Sequence, residues 1–287
     1  FIHSSFNPAA GNNGGDVLTG GTCADQLFVV NGNDTLNGGD GNDTLDLGNA
    51  TTASGWQFAY GDAGNDLLRG GNGYNFLDGG DGTDTLTGGS GYSYLLGGAG
   101  NDTLTAGAGG GYLLGGDWSG VNSGDDILLG GSAADTLTGG DGSDTLSGNG
   151  GNDILSGGLG NDTYVFNLGD GQDSVTENDI TLGNTDTVQA GTAALNLTFR
   201  HTNGTLVLGI HGGSDTLTLN TWDSGSAYQT EVFQAADGST LLNTQVDQLI
   251  QAMATFSTTH GGITWDQAID QNPNEVQGIL AAYWQAA

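Results

Sequence analysis

A nine-residue repeat runs without a break through the middle of the sequence and limits what the chain can fold into. Each unit carries small residues, mostly glycine, at its first places and leucine at its eighth place. Self-similarity at a short fixed period predicts a solenoid, in which every repeat packs against its neighbours. The six central units, which cover residues 61–114, are GDAGNDLLR, GGNGYNFLD, GGDGTDTLT, GGSGYSYLL, GGAGNDTLT and AGAGGGYLL.

The residue types divide each unit into a turn and a short strand. Glycine allows the positive φ and close backbone approach that a tight turn over the first six places requires. Two units complete one coil, so turns two units apart stack on the same edge. Sixth-place carboxylates then form a column of negative charge beside carbonyl oxygens, which only a hard cation stabilises. Calcium accepts about six to eight oxygen ligands, whereas zinc prefers His or Cys, which the central turns lack.

These features resemble the repeats-in-toxin (RTX) family of bacterial proteins exported by type I secretion. The resemblance implies an all-β fold, a right-handed parallel β-roll with calcium ions between stacked turns. It also implies the ligands of each ion. One turn supplies the carbonyls of places two and four with its sixth-place Asp, and the next turn on that edge supplies the carbonyls of places one and three with its own Asp. One such site would comprise Gly80, Gly82, Asp84, Gly97, Ala99 and Asp102.

Twelve carboxylates stand at the sixth place: Asp16, Asp25, Asp34, Asp43, Asp66, Asp84, Asp102, Asp126, Asp135, Asp144, Asp153 and Asp162. Seven pairs are eighteen residues apart, and each predicts a calcium site: 16 with 34, 25 with 43, 66 with 84, 84 with 102, 126 with 144, 144 with 162, and 135 with 153. The alternative is an acidic, solvated turn that favours Asn-Asp pairs. The predicted carbonyl ligands, as the family pattern implies them, belong to Gly21, Gly38, Gly64, Gly79, Gly80, Gly82, Gly97, Ala99, Gly124, Gly131, Gly139, Gly140, Gly142, Gly148, Gly150 and Gly157.

The repeat pattern divides the chain into four parts. Residues 1–10 are a lead-in, 11–176 the β-roll, 177–243 a flanking β-strand cap and 244–287 a helical tail. Two insertions, at 47–60 and 115–120, break the register of the roll. We interpret the first as a loop or an enlarged coil whose Trp56, Phe58 and Tyr60 cover a seam, with a ligand-binding loop as the alternative.

One edge of the central block departs from the pattern. Its sixth places are Asn75, Ser93 and Gly111, which supply no carboxylate, so this edge should lack ordinary calcium sites. Aromatic side chains recur there instead, and they predict either a ladder that holds the coils together or a face that meets another copy and forms a homo-oligomer or filament. These aromatic residues are Tyr74, Phe76, Tyr92, Tyr94 and Tyr112.

The charge balance excludes several classes of partner. Two Lys+Arg against 33 Asp+Glu give a net charge of -31, which excludes nucleic acid as a natural partner and argues against anionic membrane surfaces. A chain this acidic should stay disordered until cations neutralise it. No stretch approaches the roughly 18 apolar residues of a membrane span. Cys23 is the single cysteine, so an internal disulfide is excluded. It is either a small residue tolerated in a turn or a redox or metal-binding group. Because the first residue is Phe1 rather than Met, we expect a processed piece of a longer protein.

After residue 177 the repeat gives way to alternating strands, and the run from Asp215 to Leu241 resembles the β-domain that flanks RTX rolls. A cap covers the leucines and strand edges that an open solenoid end exposes. His201 and His211 lie in adjoining strands, either as a transition-metal site or as solvated or hydrogen-bonded side chains.

The tail predicts two helices, one after Thr244 as N-cap and one after Pro273. Its position implies an uncleaved type I secretion signal recognised by the secretion apparatus, and the helices also serve as packing elements. The apolar positions that carry this prediction are Val246, Leu249, Ile250, Met253 and Phe256 in the first helix and Val276, Ile279, Leu280, Tyr283 and Trp284 in the second.

No catalytic motif was found, which argues against an enzyme. Two functions fit the sequence. The chain is a secreted structural module of an adhesin, surface-layer or filament-forming protein, or it is the non-catalytic carrier domain of a type I-secreted protease, lipase or haemolysin. Ice or glycan binding is a third option.

Overall fold

The computed structural model describes residues 15–29, 32–48, 55–117, 124–181 and 183–286, so the predicted lead-in lies outside the described residues. The described chain winds back and forth between two sheets. Sheet one has twelve strands and sheet two has eleven. Sheet one contains, in spatial order, β1 (Val17–Gly21), β3 (Thr35–Asp40), β5 (Trp56–Ala63), β7 (Tyr74–Asp81), β9 (Ser93–Ala99), β11 (Gly111–Leu114), β13 (Thr136–Asp141), β15 (Ile154–Leu159), β17 (Gln172–Thr176), β21 (Thr216–Asn220), β20 (Thr205–Ile210) and β19 (Leu197–Thr202).

Sheet two holds the alternate strands of the coils. Most of them are three residues long, as the repeat predicts. They are, in spatial order, β2 (Gln26–Phe28), β4 (Thr44–Asp46), β6 (Leu67–Arg69), β8 (Thr85–Thr87), β10 (Thr103–Thr105), β12 (Ile127–Leu129), β14 (Thr145–Ser147), β16 (Thr163–Phe166), β18 (Thr187–Ala190), β22 (Val232–Gln234) and β23 (Thr240–Leu242).

The eighth-place leucines form the core of the roll. Neighbouring strands are parallel and in register, so Leu77 pairs with Leu95 in sheet one and Leu86 with Leu104 in sheet two. These side chains are fully buried, and each contributes about 1.5–3 kcal/mol relative to an exposed side chain. The predicted parallel β-roll is confirmed.

The prediction of an insertion over 47–60 is wrong for its last five residues. Residues 56–60 belong to β5, which pairs in parallel register with both β3 and β7. Ala59 is buried opposite Leu36 and Leu77 and therefore occupies an eighth place, where Ala replaced the expected Leu and hid the repeat. Thr35 pairs with Phe58 rather than with a residue eighteen positions further on, so this coil is enlarged, as one of the two interpretations predicts. Trp56, Phe58 and Tyr60 lie in its strand rather than in a loop.

The second insertion is also shifted. Gly115 continues the stacking of the coils, because its carbonyl accepts from the Gly98 N–H and its own N–H donates to the Thr138 carbonyl. Gly115 is therefore part of a regular turn, and the predicted insertion at 115–120 begins too early. Residues 118–123 lie outside the described part of the chain.

The cap continues both sheets of the roll. β21 pairs with β17 in parallel, and β18 and β22 extend sheet two beyond β16. Antiparallel strands follow, β19 and β20 at the end of sheet one and β23 at the end of sheet two. The sheets thus run across residue 176, where the sequence predicted a boundary.

Three helices follow the cap: α1 (Asn243–Thr259), α2 (Trp265–Gln271) and α3 (Pro273–Leu280). The predicted N-cap Thr244 is wrong, since α1 begins at Asn243 and Thr244 lies inside it. α2 is not predicted by the pattern of the tail, although the Thr264 hydroxyl accepts from the Gln267 N–H at 3.2 Å and caps the start of this helix. None of the helices in the described ranges is long and apolar enough to cross a membrane.

Candidate metal centre

The turns before the strands of sheet two bring nine aspartates into one column, which we call edge two. Along edge two the backbone N–H of each Asp donates to Oδ1 of the next at 2.6–2.9 Å. This ladder fixes one oxygen of every carboxylate and aims the other in a constant direction. The column consists of Asp25, Asp43, Asp66, Asp84, Asp102, Asp126, Asp144, Asp162 and Asp186.

The second carboxylate oxygen is buried and has no hydrogen-bond partner in most of these aspartates. A buried, unpaired carboxylate oxygen is costly unless a cation or a donor meets it. The same unpaired Oδ2 atom recurs in successive coils, so it is a systematic feature of the column rather than a local defect. The orphaned Oδ2 atoms belong to Asp43, Asp66, Asp84, Asp102, Asp126, Asp144 and Asp162.

A small oxygen-lined space lies in front of each orphan. A Cβ atom on Gly79 would stand 2.3 Å from Asp84 Oδ2 and 2.5 Å from the Gly97 carbonyl oxygen. The structure therefore brings together two of the ligands that the family pattern predicts for one ion. The space stays open because the first place of the turn is glycine, and its hard oxygen donors fit calcium.

Positive φ explains the glycines at places two and four. Gly80 has φ +103° and Gly82 φ +144°, a region that side-chain-bearing residues rarely adopt. A Cβ on Gly82 would also lie only 1.7 Å from the carbonyl oxygen of Gly64, the equivalent glycine of the preceding coil. Successive turns thus stack at backbone distance, with their carbonyl groups close to the carboxylate column.

Burial and mutual repulsion make the column hard to ionise. Burial, followed by the charges of Asp102 and Asp66, raises the pKa of Asp84 to about 7. Burial likewise raises the pKa of Asp126, Asp144 and Asp162 to about 7. A divalent cation would supply the charge that keeps these groups ionised at neutral pH.

The eighteen-residue criterion missed part of edge two. The pairs Asp43 with Asp66, Asp102 with Asp126 and Asp162 with Asp186 are separated by 23 or 24 residues instead of eighteen. Their hydrogen bonds match those of the regular pairs. Asp186 stands outside the regular repeats, and its N–H donates to Glu231 Oε2 at 3.0 Å, which extends the column into the cap.

The opposite column, edge one, is interrupted. Its carboxylates pair at one end, Asp16 with Asp34, and again from Asp135 through Asp153 to Asp173. Between them the sixth places are Gln57, Asn75, Ser93 and Gly111, which are buried and carry no carboxylate. The sequence predicts the gap at Asn75, Ser93 and Gly111, but it misses Gln57 because the pattern places that turn in an insertion.

Aromatic rings cover the outer face of sheet one beside this gap, and we call them the aromatic ladder. The rings of Trp56 and Tyr74 stack with centroids 5.4 Å apart, and those of Tyr94 and Tyr112 lie 5.9 Å apart. These contacts join successive coils, as a ladder that holds coils together requires. Trp56 and Tyr74 remain 40% and 51% exposed. The ladder comprises Trp56, Phe58, Tyr60, Tyr74, Phe76, Tyr92, Tyr94 and Tyr112.

The other candidate ligands do not converge on a site. His201 contacts Asp223 at 2.9 Å and Asp247 at 3.1 Å, whereas His211 contacts Asp266 at 2.8 Å. Cys23 is exposed. In the described ranges, no group of three or more His, Cys, Asp and Glu side chains could hold a metal ion by itself. The candidate calcium sites instead combine Asp carboxylates with backbone carbonyls.

Two protein-family models, both of calcium-binding proteins, match this chain. The model of the RTX calcium-binding nonapeptide repeat matches residues 9–36, 24–50, 60–95, 78–113, 121–154, 129–164 and 138–175, together just over half of the chain. A haemolysin-type calcium binding protein related domain matches residues 206–245.

Among solved structures, the extracellular lipase LipA from Serratia marcescens is 21% identical, with a TM-score of 0.25, over 63% of this chain and 40% of that chain. The chain therefore spans less than half the length of that lipase. The search of curated proteins gave no match.

Proposed function

Because this chain belongs to the family of RTX calcium-binding nonapeptide repeat proteins, whose repeats bind several Ca²⁺ ions, we propose that it is an extracellular structural module that folds when it binds calcium. The observation that carries this proposal is the row of buried, unpartnered Asp Oδ2 atoms along edge two. Each would be satisfied by a cation that also contacts a backbone carbonyl of the next turn.

Calcium concentration provides the switch between the unfolded and folded chain. Extracellular calcium modules bind with dissociation constants of roughly 10⁻⁴ to 10⁻³ M, far above the calcium concentration of a cytosol. The net charge of -31 opposes compaction until cations bind. The chain would thus pass through a type I secretion apparatus unfolded, with the tail after residue 243 as its signal, and fold outside the cell.

Circular dichroism with and without calcium tests the proposal. We expect a disordered spectrum in EGTA and a β-rich spectrum at millimolar calcium, because ligand binding to the folded state alone shifts the equilibrium by mass action. Magnesium at the same concentration is the control and should substitute poorly, since it demands a smaller octahedral site. A β-rich spectrum that EGTA leaves unchanged would contradict the proposal.

Within this class, we propose a role in an adhesin, surface-layer or filament-forming protein. The support is the aromatic ladder, whose exposed Trp56 and Tyr74 offer a regular apolar surface. Bound calcium would also reduce the repulsion between two acidic copies.

The second candidate is the non-catalytic carrier domain of a type I-secreted enzyme or toxin. The acidic column that continues through Asp186 to Glu231 favours it, because such a column joins the roll to its cap without needing any partner. The full-length gene discriminates between the two roles. Catalytic motifs outside this chain would support the carrier, and further repeats alone would support the structural protein.

A further inference from the structure

Two side-chain amides stand in edge one where the repeat pattern requires carboxylates. Gln57 and Asn75 occupy sixth places and are fully buried, and Ser93 takes the same place in the next coil. Their neighbours on both sides of the gap are the Asp pairs of edge one. The contacts of the two amides show what holds the coils together here.

The Gln57 amide contacts carbonyls of two stacked turns. Its Nε2 donates to the Gly32 carbonyl at 3.2 Å and to the Leu47 carbonyl at 3.3 Å. Gly32 is place four of one turn, and Leu47 is place one of the following turn. The family pattern assigns carbonyls of these two places to the same calcium ion. The amide nitrogen must face them, because carbonyl oxygens only accept hydrogen bonds.

Asn75, one coil further, contacts carbonyls of its own turn instead. Its Nδ2 donates to the carbonyls of Gly71 at 3.2 Å and Gly73 at 3.0 Å, which are places two and four of its own turn. The same nitrogen donates to Ser93 Oγ, the sixth-place side chain of the next coil, at 3.3 Å. The Asn75 Oδ1 accepts from the Gly71 N–H at 2.8 Å, which fixes the orientation of the amide. The nitrogen therefore lies among the oxygens that an ion would contact.

We infer that the amide nitrogens of Gln57 and Asn75 occupy two positions that calcium occupies elsewhere in the roll, and that these two positions of edge one need no metal ion. Gln57 Oε1 is buried without a hydrogen-bond partner, so only the nitrogen sides of the amides replace an ion. An amide N–H binds carbonyl oxygens without adding charge. A carboxylate at the same place would direct an oxygen at those carbonyls and would require a cation to offset the repulsion. The inference rests on the proposed function, because it assumes that calcium fills the acidic positions.

Restoring the carboxylate should restore an ion. Asn75→Asp has the same shape as the wild-type residue, and the double variant Asn75→Asp with Ser93→Asp supplies the full pair. We expect the double variant to bind one more calcium ion per chain than the wild type in native mass spectrometry at saturating calcium. Gln57→Glu is a second, isosteric variant that should likewise bind an additional calcium ion. It tests the inference if the Asn75 variants fail to fold.

Asn72→Asp is the matched control. It adds the same charge to the same turn, but Asn72 is exposed and its Oδ1 accepts from Ser90 Oγ, which a carboxylate can also do. Its calcium count should equal that of the wild type.

If the Asn75 and Gln57 variants fold but bind as many calcium ions as the wild type, this inference is overturned while the proposed function stands. The same holds if the Asn72 control gains as many calcium ions as the Asn75 variants. A wild type that binds no calcium would overturn the proposed function and, with it, this inference.

Discussion

Glycine at the first place of a turn is required by the neighbouring carboxylate rather than by backbone conformation. Gly79, Gly97 and Gly139 each leave about one atom's space beside Asp Oδ2 of their own turn and the first carbonyl of the next turn. A methyl group would fill the space in which the candidate ligands meet. The residue type at this place therefore determines whether a cation can bind.

Gly79→Ala should abolish one calcium site and destabilise the calcium-loaded roll. The added Cβ would lie 2.3 Å from Asp84 Oδ2, and overpacking of this kind costs about 1–3 kcal/mol. Calorimetric titration and thermal unfolding in calcium measure the two effects. Gly278→Ala in α3 is the control, since a Cβ there meets nothing within 4 Å and should stabilise the helix by up to about 1 kcal/mol. If both variants bind as many calcium ions as the wild type, the space beside Asp84 holds no ion.

The carboxylates of edge two also predict a pH dependence in the absence of calcium. The pKa of Asp126, Asp144 and Asp162 is raised to about 7 in the folded chain, above the ordinary value of 3.8, chiefly by burial. The folded state therefore binds more protons than the unfolded state, and this contribution to stability is complete below about pH 4 and lost as pH rises through about 7.

Calcium-free chain should accordingly show more β-structure at pH 5 than at pH 8 in circular dichroism. At pH 5 the calcium concentration at half-saturation should rise, because calcium must displace protons from the same oxygens. Calcium-free β-structure that increases from pH 5 to pH 8 would contradict the assigned burial of these groups.

At the scale of the strand and the turn, regular units were predictable and irregular ones were not. The glycine, aspartate and leucine places predict strands such as β4, β8 and β10 directly from the sequence. β5 was missed because Gln57 and Ala59 replace the aspartate and leucine that mark a unit. Asp186 was missed because extra residues separate it from Asp162, and hydrogen bonding along an edge tolerates such residues while a fixed spacing rule does not.

The aromatic ladder belongs to this scale as well, and it supports a prediction about association. The double variant Trp56→Ser with Tyr74→Ser removes its two most exposed rings. If the ladder is a contact between copies, the variant should keep the calcium-induced β spectrum while calcium-dependent light scattering falls.

Phe28→Ser is the control for this experiment, because Phe28 is a 42% exposed aromatic residue on sheet two, away from the ladder. It should leave light scattering unchanged. A double variant that cannot fold in calcium would show that the rings only hold coils together, and a wild type that stays monomeric at high calcium and protein concentration would exclude self-assembly.

At the scale of the whole molecule, the sequence predicted the parallel β-roll but not the continuation of its two sheets into the cap. The strands of the cap were predictable from their alternating apolar and polar residues. Their pairing with β17 and β16 was not, because it depends on contacts between segments far apart in the chain. The second helix of the tail, α2, has only seven residues, too few for its apolar spacing to identify it.

The continuous sheets also determine how the molecule responds to mechanical load. From Val17 to Leu242 every described coil is joined to the next through backbone hydrogen bonds and stacked turns. Tension along the stacking direction pulls neighbouring coils directly apart, so the joints bear the load in series and the weakest joint yields first. An ion shared by two turns would reinforce such a joint, so we expect the force needed to separate the coils to rise with calcium concentration.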